Sequence, residues 1–325
     1  MASLTRAAKL RLPPGAAPRP ILDLLASRFT YHTAEEWRRE LAAGRLQLNG
    51  RPTTAPDTPA GPGDWLEYLI PDGLRATEPP VDLAWRRLWE DAALLVAEKP
   101  GNLPCHPAGR FFNHTLWAAL HDAFPADAFF ALANRLDRET SGLVLVAKTT
   151  AAARELQRQF SRRQVEKRYL AVVEGAFPEQ CEANGWLLPD PASEVRKKRR
   201  FIPGAPDAPP AAPGPAEWAE TRFRRRRLTP ELSLVEAEPR TGRRHQIRAT
   251  LCSLGFPLVG DKLYGPDDRL YLRFIAGTLT AADRQRLRLP RQALHATRLA
   301  CRHPATGEPF LATSPLPPEL AALLP

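Results

Sequence analysis

Cysteine is scarce in this chain of 325 residues, which contains only four. They lie far apart and form no Cys-x-x-Cys pair: Cys105, Cys181, Cys252 and Cys301. Zinc ribbons and disulfide frameworks need clustered or regularly spaced cysteines, so nothing in the sequence predicts either class. Isolated thiols suit a reducing compartment, and we therefore predict a cytoplasmic location.

Long apolar runs are also lacking. No segment approaches the roughly 20 consecutive apolar residues that a transmembrane helix needs. The first 20 residues are basic and contain no acid, but four prolines interrupt them and they have no apolar core of the kind found in a secretory signal. We predict a flexible basic arm over residues 1–19, and an organellar transit peptide is the alternative.

Lysine is rare as well, with only seven among the 46 Lys and Arg residues. Arginine has a planar guanidinium group that suits phosphate recognition and base stacking better than an ammonium group does. The net charge of +10 and the pI near 9.9 indicate a partner such as nucleic acid or an anionic membrane surface. A GC-rich genome would also raise the arginine content, so the charge is only supporting evidence for a nucleic-acid partner.

Cofactor motifs are the last conspicuous absence. No dinucleotide fingerprint is present, and residues 255–260 only approximate a phosphate-binding loop, because Asp261 stands where that motif needs lysine. His245 has no second histidine or carboxylate at ligand spacing, which favours a structural hydrogen-bonding role over metal binding. We therefore predict neither a cofactor nor a metal ion.

What is present begins with a small domain. Apolar residues recur at helical spacing over residues 21–29, and Thr33 with Glu36 forms a capping box for a second helix. Two short alternating segments follow, the first of them ending in an Asn-Gly turn. The pattern predicts a helix-helix-strand domain over residues 20–75.

Prolines mark the next boundary. Pro79 and Pro80 cannot both join a helix or a central strand, so residues 76–84 are predicted to be a linker and residues 85–325 a larger second domain. Within that domain, residues from about 187 to 217 combine a basic run with a segment of little but Pro, Ala and Gly, which predicts a mobile loop. This loop could close over bound RNA, and solvated disorder without function is the alternative.

The most informative stretch is Asn134–Leu143, which reads Asn-Arg-Leu-Asp-Arg-Glu-Thr-Ser-Gly-Leu. Its acid, Asp137, lies between two arginines and leads through a Ser-Gly turn into an apolar run typical of a buried strand. This pattern makes a poor surface element, but it is a good way to hold one ionised carboxylate at a rigid sheet edge.

Three more motifs follow in order along the chain: Lys167-Arg168-Tyr169-Leu170-Ala171, Gly242-Arg243-Arg244-His245-Gln246-Ile247-Arg248 and Gly260-Asp261-Lys262-Leu263-Tyr264-Gly265. Together with the Asp137 stretch, they resemble the motifs of the RluA-type pseudouridine synthases. The family usually has His where this chain has Asn134. The small domain is similar to the alpha-L RNA-binding module of a ribosomal small-subunit protein, and the likeness covers nearly all of the chain from about residue 20.

The resemblance implies an α+β fold, in which a mostly antiparallel, bent mixed sheet flanked by helices follows the alpha-L module. It implies an isomerase that converts uridine in structured ribosomal or transfer RNA to pseudouridine, without cofactor or metal. Asp137 would be the essential carboxylate, Arg248 would pair with it, and Tyr169 would stack on the extruded uracil. Arg135 would enter the space that the flipped base leaves.

The same resemblance places four arginines of the small domain against RNA phosphates: Arg38, Arg39, Arg45 and Arg51. An ordinary amphipathic helix pair with a solvated polar face is the alternative for this domain. The default expectation for the whole protein is a monomer with RNA as its partner and no membrane association.

Two other functions compete with an RNA isomerase. A catalytically silent RNA-binding or assembly protein would explain the basic charge, although retention of Asp137, Tyr169 and Arg248 together argues against it. A sugar hydrolase would need a second acid beside Asp137, and the nearest, Glu139, is more simply a surface salt-bridge partner. A thiol nucleophile at Cys105 beside His106 is disfavoured, because adjacent residues in a strand point to opposite faces.

Overall fold

The computed structural model describes residues 6–13, 17–29, 32–70, 78–125, 128–211 and 214–324. The chain forms two compact units, the first from Met1–Leu83 with Pro104–Ala128 and the second from Ala84–Leu103 with Phe129–Pro325. The sequence-based prediction assigned residues 85–325 to one larger domain. The membership of residues 104–128 in the first unit was not predicted from the sequence.

The first unit combines short strands with helices. Numbered along the whole chain, its described elements are β1 (Arg6–Arg11), β2 (Arg19–Pro20), α1 (Ile21–Arg28), α2 (Ala34–Ala42), β3 (Leu46–Leu48), β4 (Arg51–Thr53), β5 (Pro59–Ala60), β6 (Trp65–Ile70) and α3 (Leu116–Ala123). The antiparallel order β1-β6-β3-β4 forms a sheet, and β2 pairs with β5. Buried side chains from α1, α2 and the sheet, including Trp37, share one apolar cluster.

Local sequence signals in this unit behave as predicted. The Thr33 hydroxyl accepts a hydrogen bond from the Glu36 backbone N–H, and the Glu36 carboxylate accepts one from Thr33, so the capping box begins α2. Asn49 and Gly50 both have positive φ values, 54° and 77°, as the Asn-Gly hairpin turn between β3 and β4 requires.

The predicted flexible arm differs from the structure over part of its length. Residues 6–11 form β1, which pairs with β6 in register from Arg6 with Ile70 to Arg11 with Trp65. Leu12 is buried in the same apolar cluster as Trp37. Apolar anchoring and an open strand edge therefore fix this segment, whereas residues 1–5 and 14–16 of the predicted arm lie outside the described residues.

The predicted linker is anchored at Glu78. Glu78 is buried, and its carboxylate accepts backbone hydrogen bonds from Phe112, Asn113 and His114 at 2.7 to 3.0 Å. These bonds fasten the chain after residue 77 to the loop before α3 within the first unit. Residues 76 and 77 of the predicted linker lie outside the described residues.

The second unit contains the large sheet. Its described elements are β7 (Arg86–Glu90), β8 (Leu94–Lys99), β9 (Ala131–Leu132), β10 (Ser141–Ala147), α4 (Thr150–Ser161), β11 (Glu166–Glu174), β12 (Gln180–Pro189), β13 (Arg199–Pro203), β14 (Glu217–Leu228), β15 (Leu232–Pro239), α5 (Gln246–Ser253), α6 (Arg269–Ala276), α7 (Ala281–Leu287), β16 (Leu294–Arg302), β17 (Pro309–Thr313) and α8 (Pro318–Ala321).

The main path of this sheet runs β13-β12-β14-β15-β11-β16-β10-β8-β7, with β17 beside β16 and β9 beside β10. Every described pairing is antiparallel except that of β10 with β16. Helices flank the sheet, and α5 shares a core with Phe223 and Val235 through its Ile247 and Leu251 side chains. The predicted α+β architecture with a mostly antiparallel mixed sheet is confirmed.

The parallel contact between β10 and β16 depends on one glycine. Gly142 has a φ of 112°, and a Cβ atom there would lie 2.3 Å from the Ala296 carbonyl oxygen. Any side chain would therefore push the two strands apart. The Ser-Gly pair of the Asp137 stretch thus brings the start of β10 against β16.

The predicted mobile loop at 187–217 contains regular structure. β12 continues to Pro189, and residues 199–203 form β13, paired antiparallel with β12 from Gly185 with Pro203 to Pro189 with Arg199. Phe201 enters the core that α5 covers. The buried Phe201 side chain anchors a strand that the basic, proline-rich composition concealed. Residues 212 and 213 lie outside the described residues.

Candidate active site

The Asp137 carboxylate stands on a tight turn immediately before β10. The Thr140 N–H donates to the Asp137 carbonyl at 3.1 Å, which closes the turn. Gln292 donates to the Thr140 hydroxyl at 2.5 Å, and the Ser141 hydroxyl lies 2.9 Å from His295 Nδ1. Because all of β10 is buried, this turn is anchored to a strand of the core.

Asn134 fastens the other side of the same stretch. Its amide nitrogen donates to the Leu143 carbonyl at 3.2 Å, and its carbonyl oxygen accepts from the Leu145 N–H at 2.8 Å. An amide can donate and accept at once without carrying charge. The Asn that replaces the family's usual His therefore braces the backbone of β10.

Arg248 meets Asp137 from α5. Its Nη1 donates to Asp137 Oδ2 at 2.7 Å, although 111 residues separate the two in sequence. The Nε and Nη2 of the same guanidinium donate to the two oxygens of Asp261 at 2.7 and 2.9 Å. The Asp261 side chain is completely buried, whereas 31% of the Asp137 side chain is exposed. Arg248 thus bridges the buried carboxylate of Asp261 and the partly exposed carboxylate of Asp137.

The surroundings keep Asp137 ionised. Burial alone would raise the pKa of its carboxyl, but the charge and hydrogen bond of Arg248, together with a hydrogen bond from Gln292, lower the pKa from 3.8 to about 2. The same arginine and two backbone N–H groups, from Leu263 and Tyr264, lower the pKa of Asp261 against its burial. Both acids are therefore carboxylates near neutral pH.

His245 completes the wall of the site. Its Nδ1 lies 2.9 Å from the Tyr264 hydroxyl, and its Nε2 lies 4.0 Å from Asp137 Oδ1. Burial lowers the pKa of His245 to about 4, so the ring is neutral at pH 7. The predicted structural hydrogen bond of this histidine is present, and the bond places the ring beside the Asp137 carboxylate.

The backbone at His245 is unusual because this residue has a φ of 56° at the start of α5. The Gln246 side chain supports that conformation. It accepts from the Arg243 N–H at 2.9 Å and the Thr241 hydroxyl at 2.8 Å, and it donates to the Glu220 carbonyl at 2.9 Å. These bonds account for a buried glutamine within the motif and turn Arg248 toward Asp137 two residues later.

Tyr169 lies on β11, which β16 separates from β10 and the Asp137 turn. It is opposite Ala296 of β16, and Ala296 is in turn the register partner of Gly142 in β10. Its half-buried ring packs against the apolar cluster that contains Ile247. The sheet therefore brings Tyr169 to the level of the Asp137 turn, on the face that carries α5.

A second ion pair occupies the same turn. Both carboxylate oxygens of Glu139 accept hydrogen bonds from Lys262 Nζ, at 2.9 and 3.0 Å. The Lys262 side chain is 3% exposed and that of Glu139 is 12% exposed. The expected salt bridge of Glu139 is thus present, but it is largely buried and not on the surface. Lys262 also donates to the Pro290 carbonyl at 2.7 Å.

The predicted RNA-binding arginines are distributed over both units. In the second unit, Arg135 is exposed beside the site. In the first unit, Arg39 and Arg51 are exposed, Arg38 pairs with Glu35 at 2.5 Å, and Arg45 pairs with Glu40 at 2.7 Å. The pair of Arg38 with Glu35 is exposed, and such surface pairs contribute little stability, about 0 to 1 kcal/mol, so a phosphate can replace Glu35. Glu40 is largely buried and also accepts a hydrogen bond from the Tyr68 hydroxyl.

Sequence reasoning missed two residues of the site. Asp261 was noted as the residue that breaks a phosphate-loop pattern and as part of a family motif, but no role was predicted for it, yet it holds Arg248. Gln292 was not noted at all. The Gly-Asp-x-x-Tyr-Gly element could have pointed to Asp261, since a conspicuous acid needs a cation, whereas no local pattern marks Gln292.

Within the described ranges, no group of three or more His, Cys, Asp or Glu side chains is arranged to hold a metal ion. No helix in the part of the chain that the structure describes has the length and apolar character needed to cross a membrane.

Comparisons with known proteins identify the family of this chain. The family model described as RNA pseudouridylate synthase matches residues 93–253. An uncharacterized RNA pseudouridine synthase of Synechocystis is 32% identical over 92% of this chain and 95% of its own length. The ribosomal large subunit pseudouridine synthase D of Xylella fastidiosa is 32% identical over 96% of this chain and 90% of its own.

A solved structure gives the same result for the fold. The human protein titled RNA Pseudouridylate Synthase Domain Containing 4 aligns with a TM-score of 0.56 and 26% identity, over 72% of this chain and 90% of that chain. The matched family segment contains Asp137, Tyr169 and Arg248.

Proposed function

Because this chain belongs to the RNA pseudouridylate synthase family and is an RNA pseudouridine synthase, an isomerase of uridines in RNA, we propose that Asp137 is the carboxylate on which its reaction depends. The observation that carries this proposal is the contact with Arg248, which keeps Asp137 ionised while 31% of its side chain stays exposed. A partly open, charged carboxylate in a rigid turn is what a nucleophile or base requires.

The isomerisation keeps every atom of uridine. The bond from N1 to C1′ breaks, the uracil rotates, and a bond from C5 to C1′ forms. The proton lost from C5 is balanced by one gained at the released ring nitrogen. Asp137 serves this sequence either by attacking C1′ or by removing the 2′ proton, and both routes need an ionised carboxylate.

The other predicted site residues fit steps before and after bond breaking. A uridine inside folded RNA must leave its stack, at a cost of a few kcal/mol. Tyr169, at the level of the Asp137 turn, stacks on the extruded uracil and assists removal of the C5 proton. The exposed Arg135 occupies the vacated space, where a flat guanidinium contacts bases and phosphate together.

The substrate we propose is large-subunit ribosomal RNA. The name of the Xylella fastidiosa relative, which aligns over nearly the whole of this chain, supports this choice, and transfer RNA is the alternative. In the first unit, residues 20–75 act as the RNA-binding module through Arg38, Arg39, Arg45 and Arg51. The cytoplasmic location and the monomeric state stay predictions.

Pseudouridine mapping tests the proposal. Total RNA is labelled with carbodiimide and read by reverse transcription from cells with the gene intact, deleted, or carrying Asp137→Ala. We expect one or more stops in large-subunit ribosomal RNA to disappear in both mutants. If Asp137→Ala keeps every stop that deletion removes, Asp137 is not the essential carboxylate. If no stop changes while the purified protein binds RNA, a silent RNA-binding protein replaces our proposal.

A further inference from the structure

Five consecutive cations, Arg196-Lys197-Lys198-Arg199-Arg200, end the connection from β12 to β13 and begin β13. We call residues 196–200 the basic run. A run of this kind is usually a solvated surface segment, whose charges face water without a specific position. The basic run differs, because several of its groups are bonded to the elements that carry the active site.

Its central residue is pinned. Lys198 Nζ lies 3.1 Å from Asp268 and 3.5 Å from Asp190. The backbone is closed as well, since the Asp190 N–H donates to the Lys198 carbonyl at 3.1 Å and the Lys198 N–H donates to Val195 at 2.8 Å. The neighbouring cations are therefore presented from a fixed turn, which lowers the entropy lost when they bind a ligand.

A chain of short contacts leads from the basic run to the reactive carboxylate. The Arg199 N–H donates to the Tyr264 hydroxyl at 3.0 Å. That hydroxyl lies 2.9 Å from His245 Nδ1, and His245 Nε2 lies 4.0 Å from Asp137. Only two side chains thus separate the backbone of the basic run from Asp137.

Helix α6 provides an independent second route. Lys197 Nζ lies 3.8 Å from the centre of the Tyr271 ring. One turn further along α6, the Phe274 ring lies 4.8 Å from Arg138 Cζ, next to Asp137 in sequence. Residues three apart in a helix share one face. The same face of α6 therefore touches the basic run and the Asp137 turn.

Two cations of the basic run, Arg196 and Lys197, can form further ion pairs with a ligand. Arg196 is exposed and has no ion pair or side-chain hydrogen bond with any residue that the structure describes. Lys197 contacts the Tyr271 hydroxyl, and its ammonium group has three donors, so two remain. By contrast, Lys198 and Arg199 are already paired with carboxylates, the latter with Glu217 at 2.5 Å.

We propose that Arg196 and Lys197 bind RNA backbone phosphates close to the target uridine. This inference rests on the proposed role of Asp137, because it takes that carboxylate as the point where the uridine arrives. Phosphates lie on both sides of any flipped nucleotide, so a cationic turn two side chains from Asp137 meets the strand that carries it. Such contacts add affinity and orientation without reading sequence.

Salt dependence separates this role from a structural one. The probe is unmodified large-subunit ribosomal RNA transcribed in vitro, and the dissociation constant is measured against KCl concentration for the full-length enzyme. Each phosphate contact that is lost lowers the slope of log K against log salt by about 0.7 to 0.9. We expect Arg196→Ser with Lys197→Gln to lower the slope by about 1.5 and weaken binding about tenfold.

The matched control removes two arginines from the same sheet. Arg222 and Arg224 are exposed and flank Phe223, whose side chain enters the core beneath α5, so they face the opposite side of β14. Arg222→Gln with Arg224→Gln changes the net charge equally, and we expect it to leave the slope nearly unchanged. Equal effects from both pairs would overturn the proposal, because only total charge would then matter.

Two further measurements keep the outcomes distinct. Arg196→Ser alone cannot disturb packing, and it should lower the slope by about 0.7 to 0.9 with an unchanged thermal midpoint. The single-turnover rate at saturating RNA should stay the same in the Arg222→Gln with Arg224→Gln control. In the Arg196 and Lys197 variants, a fall in that rate with unchanged affinity would contradict phosphate binding. If Asp137→Asn instead retains full activity, the proposed function fails while the salt slopes are still interpretable by themselves.

Discussion

Asp137 and Glu139 are two carboxylates on one turn, and the structure treats them differently. Asp137 receives one hydrogen bond from Arg248 and leaves 31% of its side chain exposed. Glu139 engages both oxygens with Lys262 and leaves 12% exposed. The cations that pair with these two acids are Arg248 and Lys262. They are linked through the sequence, because Asp261, which binds Arg248, directly precedes Lys262.

The difference teaches how one turn can carry a reactive acid and a structural acid. Arg248 has a planar fork that it divides between two carboxylates, so Asp137 is stabilised in its charged form without being enclosed. Lys262 has a compact ammonium group, whose hydrogen bonds go to Glu139 and to the Pro290 backbone carbonyl. An ionised carboxylate that stays accessible, such as Asp137, suits catalysis. An ionised carboxylate that is fully paired, such as Glu139, suits a structural role.

The largest expected effect is on the reaction itself. Asp137→Asn should lower the single-turnover rate of pseudouridine formation about a thousandfold or more, because the amide can neither attack C1′ nor take a proton. Glu139→Gln should lower the rate less than about tenfold, since its role is structural. Circular dichroism of both variants controls for folding, and a comparable loss of rate in folded Glu139→Gln would erase the distinction between the two acids.

The second effect tests whether Arg248 is aimed by Asp261. Asp261→Asn weakens the paired hydrogen bonds that fix the guanidinium, and we expect the rate to fall about 10- to 100-fold through displacement of Arg248. Loss of this buried partner should also reduce the free energy of unfolding by about 3 kcal/mol. Urea denaturation and single-turnover kinetics measure the two consequences. An unchanged rate would mean that Arg248 holds its position without Asp261.

The third effect concerns the buried pair alone. Lys262→Met removes the close cation of Glu139 and leaves only Arg138, whose Nη2 lies 3.6 Å from Glu139 Oε1. The loss should cost about 3 kcal/mol of unfolding free energy. Adding Glu139→Gln should recover much of that loss, since neither charge is then buried unpaired. A double-mutant cycle by urea denaturation gives the coupling. Additive losses would show that the two side chains do not act as a pair.

The smallest effect lies behind the turn, at Asn134. Asn134→Ala removes the acceptor of the buried Leu145 N–H, and we expect a loss of about 1 to 3 kcal/mol of unfolding free energy. Asn134→His should lose less, because a ring nitrogen can donate or accept at the same place. Thermal and urea denaturation of both variants provide the check, and equal losses would argue that the brace does not depend on the side-chain polar atoms.

The sequence predicted the structural features that depend only on residues close together along the chain. The Thr33 capping box and the Asn49-Gly50 turn are local, so their residues specify them directly. The pairing of β1 with β6 is not local, and a basic, proline-interrupted segment gave no sign of a partner about 60 residues away.

The site divides in the same way. The family likeness identified Asp137 and Arg248, which the fold joins across 111 residues. The pair of Glu139 with Lys262 spans 123 residues and follows no motif, so it emerged only from the structure. The rule that buried charges need partners predicts that such a cation exists, but it does not say which one.

The central claim is that Arg248 keeps Asp137 ionised while the carboxylate stays open, and NMR titration of ¹³C-labelled aspartate tests it most directly. The Asp137 signal is assigned by its absence in Asp137→Asn. With a pKa of about 2, below the ordinary 3.8, its ionisation stabilises the fold above about pH 4, and this contribution is lost as the pH falls toward 2. We expect no titration of Asp137 above about pH 3 in the natural protein and a pKa raised above 3.8 by burial in Arg248→Gln. An Asp137 pKa near 4 in both proteins would contradict the account.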